Sequence, residues 1–170
     1  MKKSAQLYDA GLDSYPLSTV VGGNIAMAGL IAAGTLACWL ISPYFGAAYA
    51  ITSVVVVYFV LRRLVCRNCY YFGKRCGLGW GQLAAVWCSR GRIEDFNDSP
   101  GLKFAPLVYG LLMLVPLIAL VVVVLDAPTT TTLVLLAVLL GLSFFSAGPG
   151  RRRACSVCKM RLFCKGSAAR

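Results

Sequence analysis

The sequence predicts an all-α, polytopic membrane protein in which four transmembrane helices form two tandem helical hairpins, each followed by a cytosolic Cys box. Three observations predict it. The 170 residues are 59% hydrophobic and only 14% charged, too few polar groups to cover a water-facing surface. Four uninterrupted apolar stretches are each long enough to cross a hydrocarbon core of about 30 Å at ~1.5 Å per helical residue. Finally, the cations fall only at the N-terminus, in the middle and in the tail.

The first stretch, residues 17–41, is rich in Ala and Gly and free of charge. The second, residues 44–61, contains the β-branched block Val54 to Val57. In water that block would favour a strand, but in lipid a helix wins because it satisfies its own backbone hydrogen bonds. Arg62 and Arg63 are expected to end it. The third, residues 104–125, is continuous apart from Pro106 and Pro116, and the fourth, residues 128–147, is closed by Gly148, Pro149 and Gly150. The resulting plan is an N-terminal segment (1–16), a first hairpin (17–65), a Cys-containing loop (66–103), a second hairpin (104–149) and a basic Cys-containing tail (150–170).

Orientation follows from the cations, because Lys and Arg in short flanking loops are retained on the cytoplasmic side. Lys2 and Lys3 precede the first stretch; Arg62, Arg63, Arg67, Lys74, Arg75, Arg90, Arg92 and Lys103 lie between the second and third; Arg151, Arg152, Arg153, Lys159, Arg161, Lys165 and Arg170 follow the fourth. The two remaining loops carry none. Both termini and the middle loop are therefore expected in the cytoplasm of a cell with an inner membrane, against anionic lipid headgroups.

Arg62-Arg63-Leu64-Val65-Cys66-Arg67-Asn68-Cys69 aligns without a gap on Arg151-Arg152-Arg153-Ala154-Cys155-Ser156-Val157-Cys158, and a third Cys, Cys76 or Cys164, follows each pair. Basic stop residues alone would explain the Arg but not the matched C-x-x-C. An internal repeat of helix, short outer loop, helix and Cys box accounts for both. Both copies enter the membrane in the same sense, so equivalent residues share a depth and the two boxes are expected close together.

The candidate metal ligands are Cys66, Cys69, Cys76 and Cys88 in the loop and Cys155, Cys158 and Cys164 in the tail. A reducing cytosol disfavours a disulfide framework. C-x-x-C lets two thiolates grip one ion from a tight turn, and Zn²⁺ or an iron–sulfur cluster needs four such ligands. The loop alone offers four; alternatively Cys66 and Cys69 share a site with Cys155 and Cys158. Flanking Arg and Lys are expected to favour thiolate over thiol, besides setting topology.

No catalytic constellation is assigned. The chain has no His, which removes His-based acid–base pairs, a Ser-His-Asp triad and His metal sites. Trp80, Leu83, Ala84 and Trp87 fall at helical spacing, so the segment between Cys76 and Cys88 reads as a short helix lying flat at the interface. Residues 91–103 read as a solvated connector. Within the spans, Gly29, Ala33 and Ala37 at four-residue spacing suggest close helix packing. Met27 and Cys38 lie about 16 Å apart along a helix, lining a path at most.

The leading functional reading is a non-enzymatic membrane protein that holds a soft metal on its cytosolic Cys boxes in a structural, sensing or electron-transfer role. A soft-cation transporter with cytosolic Cys acceptors and a membrane thiol–disulfide oxidoreductase are the alternatives. The expected partners are the bilayer, its anionic headgroups, and a protein partner or second copy of the chain; no specific nucleic-acid binding is expected.

Overall fold

The computed structural model describes residues 6–169; Lys2, Lys3 and Arg170, which enter the charge asymmetry, lie outside the described residues. The protein is all-helical. In chain order come α1 (Leu17–Trp39), α2 (Pro43–Val55), a π-helical turn (Val56–Val60), α3 (Leu61–Val65) and a 3-10 turn (Cys66–Asn68); then α4 (Trp80–Trp87), a 3-10 segment (Ile93–Asp98), α5 (Pro100–Asp126), α6 (Thr130–Ala147) and α7 (Pro149–Ser156). Four helical stretches, Leu17–Trp39, Pro43–Asn68, Pro100–Asp126 and Thr130–Ser156, are long and apolar enough to cross a membrane. Only 17–33% of the residues in their most apolar windows are buried inside the protein. The rest of that surface needs an apolar solvent, since exposed apolar patches of such extent are not tolerated in water.

Helix starts follow local chemistry. Pro43 and Pro100 occupy the first helical position, where a missing N–H costs nothing. The Ser99 hydroxyl accepts from Leu102 N, and Thr129 and Thr132 form a reciprocal capping box ahead of α6. Two expected ends move. The second helix does not stop at Arg62 and Arg63 but continues to Asn68, because nothing after the arginines breaks it. Past Gly148, whose backbone leaves helical geometry, α7 resumes with Pro149 at its start and carries Arg151, Arg152, Arg153 and Cys155.

α1 packs against α2, α5 and α6, and α5 also touches α3 and α6. The face of α1 that makes these contacts is Met27, Leu30, Ile31, Ala33, Gly34, Ala37 and Cys38, a helical repeat of small residues with a few large ones. Gly34 is fixed by a neighbour: a Cβ there would stand 2.5 Å from the Tyr49 hydroxyl oxygen. That hydroxyl donates to the Leu112 carbonyl at 2.7 Å. Leu112 is the residue whose carbonyl Pro116, four positions later, cannot satisfy. Asn24 is also spent on structure, donating to Val20 O and Leu78 O at 2.8 and 3.0 Å.

The β-branched block is helical, with the π turn over Val56–Val60 directly after it. One turn beyond, Arg62 is only 4% exposed. Its guanidinium is sandwiched between the Tyr58 and Trp80 rings, 4.5 and 4.6 Å from their centroids. A desolvated cation–π contact contributes ~2 kcal/mol, against several kcal/mol to take such an ion out of water. A charge expected at the rim is thus held inside and only partly compensated.

Candidate functional site

Both C-x-x-C boxes fold the same way. In the first, Cys69 N donates to Cys66 O at 3.2 Å, and in the second Cys158 N donates to Cys155 O at 3.2 Å. The helix at each box thus ends in a tight turn across its C-x-x-C.

The boxes meet through a residue that sequence reasoning missed. Met160, 2% exposed, places its Sδ 3.3 Å from Cys69 Sγ and accepts from Tyr70 N at 3.2 Å. Tyr71 forms a second bridge: its hydroxyl donates to Leu12 O at 2.6 Å and accepts from Lys159 N at 3.0 Å. The thiol of Cys69 has Cys66, Cys76 and Cys158 as electrostatic neighbours, and that of Cys66 has Cys76 and Cys88. The Cys158 thiol has Cys155 and the Tyr15 and Tyr71 hydroxyls as electrostatic neighbours. Cys164 sits lower in the tail, its N donating to Met160 O at 2.7 Å. All eight cysteines are free thiols. Among the described residues no three His, Cys, Asp or Glu side chains are close enough together to hold a metal ion.

A third strand of chain locks the boxes. Residues 8–12 run beside the tail: Tyr8 N donates to Lys159 O at 2.8 Å and Leu12 N to Val157 O at 2.9 Å, giving a parallel bridge between Leu12 and Cys158. Gly11 is required there, because a Cβ would stand 2.7 Å from Lys159 N. Tyr15 N then donates to Arg75 O at 2.9 Å and its hydroxyl to Ala154 O at 2.6 Å, tying this segment to both copies. The only sequence signal was the aromatic content of a short polar segment, which has no periodicity to read.

The cations act differently from expectation. Burial pushes the Cys69 and Cys158 thiols up, and for Cys158 it outweighs hydrogen bonds from the Met160 backbone, Tyr15 and Tyr71. The nearby Lys and Arg do not offset this because they are engaged as staples. Lys159 reaches Asp13 at 3.5 Å and Asp9 O at 3.1 Å. Lys74 lies 4.3 Å over the Tyr70 ring, Arg151 donates to Gly166 O, and Arg161 donates to Ala169 O and Ser156 O. Burial thus favours the protonated form of Cys69 and Cys158, and ligation by either must displace its proton.

α4 forms as expected, but only Trp80, Gly81 and Ala84 face the protein, while Leu83, Val86 and Trp87 are exposed. Trp87 still meets Phe59 edge-on at 6.3 Å. Gly81 allows this docking, since a Cβ would overlap Tyr71 O. Residues 91–103, read as a solvated connector, are partly buried instead. Phe96 is 5% exposed, and Asn97 donates to Phe163 O and accepts from Lys165 N, both at 2.9 Å. That double bond clamps the stretch of tail that carries Cys164.

No family model, curated protein or solved structure matches the chain.

Proposed function

We propose that this is a multi-pass membrane protein of the inner membrane, with two tandem hairpins and both termini cytoplasmic, whose Cys boxes form one cap that binds a thiophilic metal. The observation that supports this reading is the 3.3 Å approach of Met160 Sδ to Cys69 Sγ, with Cys158 among the electrostatic neighbours of Cys69. It brings a thioether of the tail against a thiol of the middle loop. Cys66, Cys69, Cys76 and Cys158 are the first ligands of choice, with Cys88, Cys155 and Cys164 as further donors. Four thiolates suit Zn²⁺ or an iron–sulfur cluster, and a thioether extends the set toward softer cations such as Cu⁺.

Binding requires the thiols to lose protons and rotate inward, which makes the cap a closed apo form that metal would rearrange. The role is structural, sensing or electron transfer, and Cys38, buried at the bundle core, takes no part. Metal analysis of anaerobically purified full-length protein tests it. About one metal ion or cluster per chain, lost in Cys69→Ser, is expected; metal-free protein that stays metal-free after exposure to Zn²⁺, Fe²⁺ with sulfide, or Cu⁺ would refute it.

A further inference from the structure

Arg62 is a buried cation with no counter-charge. Among the described residues its guanidinium makes no hydrogen bond or ion pair, only the two ring contacts, and its Nε is buried without an acceptor. The indole N–H of Trp80, against the same guanidinium, is also buried and unpaired. Both residues line a cavity of about 250 Å³ whose other walls include Val20, Tyr58, Leu78 and Leu83. A second cavity of about 310 Å³ shares Tyr58, Arg62 and Leu83 with the first and is lined further by Arg63, Trp87 and Cys88.

The backbone adds a further donor site. α4 begins at this cavity: its N-cap Gly79 has φ +70° and supplies no side-chain acceptor for the first-turn N–H groups. A helix N-terminus without a cap attracts an anion. An unpaired guanidinium, an orphan indole N–H and an uncapped helix start thus line one pocket whose remaining walls are the apolar Val20, Tyr58, Leu78 and Leu83 with the amides of Asn24 and Gln82.

We propose that this pocket binds a phosphate anion carrying an apolar substituent, the phosphate lying between Arg62, Trp80 Nε1 and the start of α4. A bidentate guanidinium–phosphate pair supplies the missing counter-charge, and the apolar walls accept the substituent. The headgroup of an anionic phospholipid and a free soluble phosphate ester share this chemistry. Occupancy would fasten α4 to the end of the second membrane helix. The inference is independent of the metal reading.

The test is calorimetric titration of the full-length protein in uncharged detergent with dihexanoyl phosphatidate, dihexanoyl phosphatidylcholine and inorganic phosphate. Phosphatidate should bind about tenfold or more tightly than phosphatidylcholine, and Arg62→Gln should weaken it about tenfold. Arg62→Lys should retain part of the affinity, and Arg63→Gln, an exposed neighbour, should change it less than about twofold. Inorganic phosphate should bind more weakly than phosphatidate because it leaves the apolar walls empty; equal affinity would overturn the role given to those walls and assign a soluble phosphate as the ligand. If circular dichroism shows that Arg62→Gln has lost helix, Trp80→Phe carries the test, with weaker phosphatidate binding expected and unchanged binding overturning the site. Equal losses in Arg62→Gln and Arg63→Gln, or no preference for phosphatidate, also overturn it.

Discussion

The Tyr49 hydroxyl donates a 2.7 Å hydrogen bond to the Leu112 carbonyl, the acceptor that Pro116 leaves without a backbone donor. One helix thereby repairs a defect in another, and Gly34 on a third leaves room for the repairing ring. Three helices are coupled through a single bond.

Tyr49→Phe keeps the ring but strands the buried carbonyl, so a loss of about 1–3 kcal/mol is expected. Gly34→Ala forces the Tyr49 ring away and should cost a comparable amount. Because both break the same bond, the double substitution should be clearly less than additive. Reversible unfolding in mixed detergent measures all three.

Gly11→Ala places a methyl 2.7 Å from Lys159 N and should unpair the N-terminal segment from the tail without disturbing the membrane helices. Amide exchange at Tyr8 and Leu12 should accelerate at least about tenfold, the opening free energy falling by ~1.4 kcal/mol or more. Gly22→Ala, with open space around its Cβ, should leave exchange there unchanged.

Thiol chemistry gives the pH dependence. Cys69 and Cys158 are held protonated by burial, above the ordinary thiol value of 9.0. In the unfolded chain these thiols ionise first, so their contribution to stability is present below about pH 9 and lost as the pH rises further. Metal-free protein should alkylate slowly at Cys69 and Cys158 at pH 7, and its cap should open above pH 9 in a mass-resolved maleimide assay. At the acid end the Tyr70 hydrogen bond, helped by Lys159, holds the exposed Asp13 carboxyl low. That minor contribution is present at neutral pH and disappears as the pH falls below the usual carboxylate range.

Asn97→Ala removes both of its bonds to the tail, with an expected loss of about 1–2 kcal/mol of local docking. Limited proteolysis should then cut near Phe163 faster, while the helical content stays the same.

The four long apolar helices were legible because span length and hydropathy are one-dimensional signals. What was hidden depends on contacts distant in sequence. Met160 reads as an ordinary apolar residue until Cys69 lies against it. Tyr15, Asn97 and Gly11 have no periodic pattern to mark them. The arginines were read as a topological stop, but Arg62 has two aromatic faces to cover it, one of them supplied by Trp80 from the far side of the Cys loop. At Cys69 and Cys158 burial pushes the thiols up, and the Lys and Arg nearest in sequence, such as Lys159 and Arg161, are bonded elsewhere.

Titration of the anaerobic, reduced full-length protein with Cd²⁺, followed by its sulfur-to-metal charge-transfer absorption, tests most directly whether the two boxes form one metal cap. A saturable band is expected, removed or halved at least by Cys69→Ser and equally by Cys158→Ser, since each contributes to the same site. A wild-type protein with no such band, or a band that neither substitution alters, would contradict it.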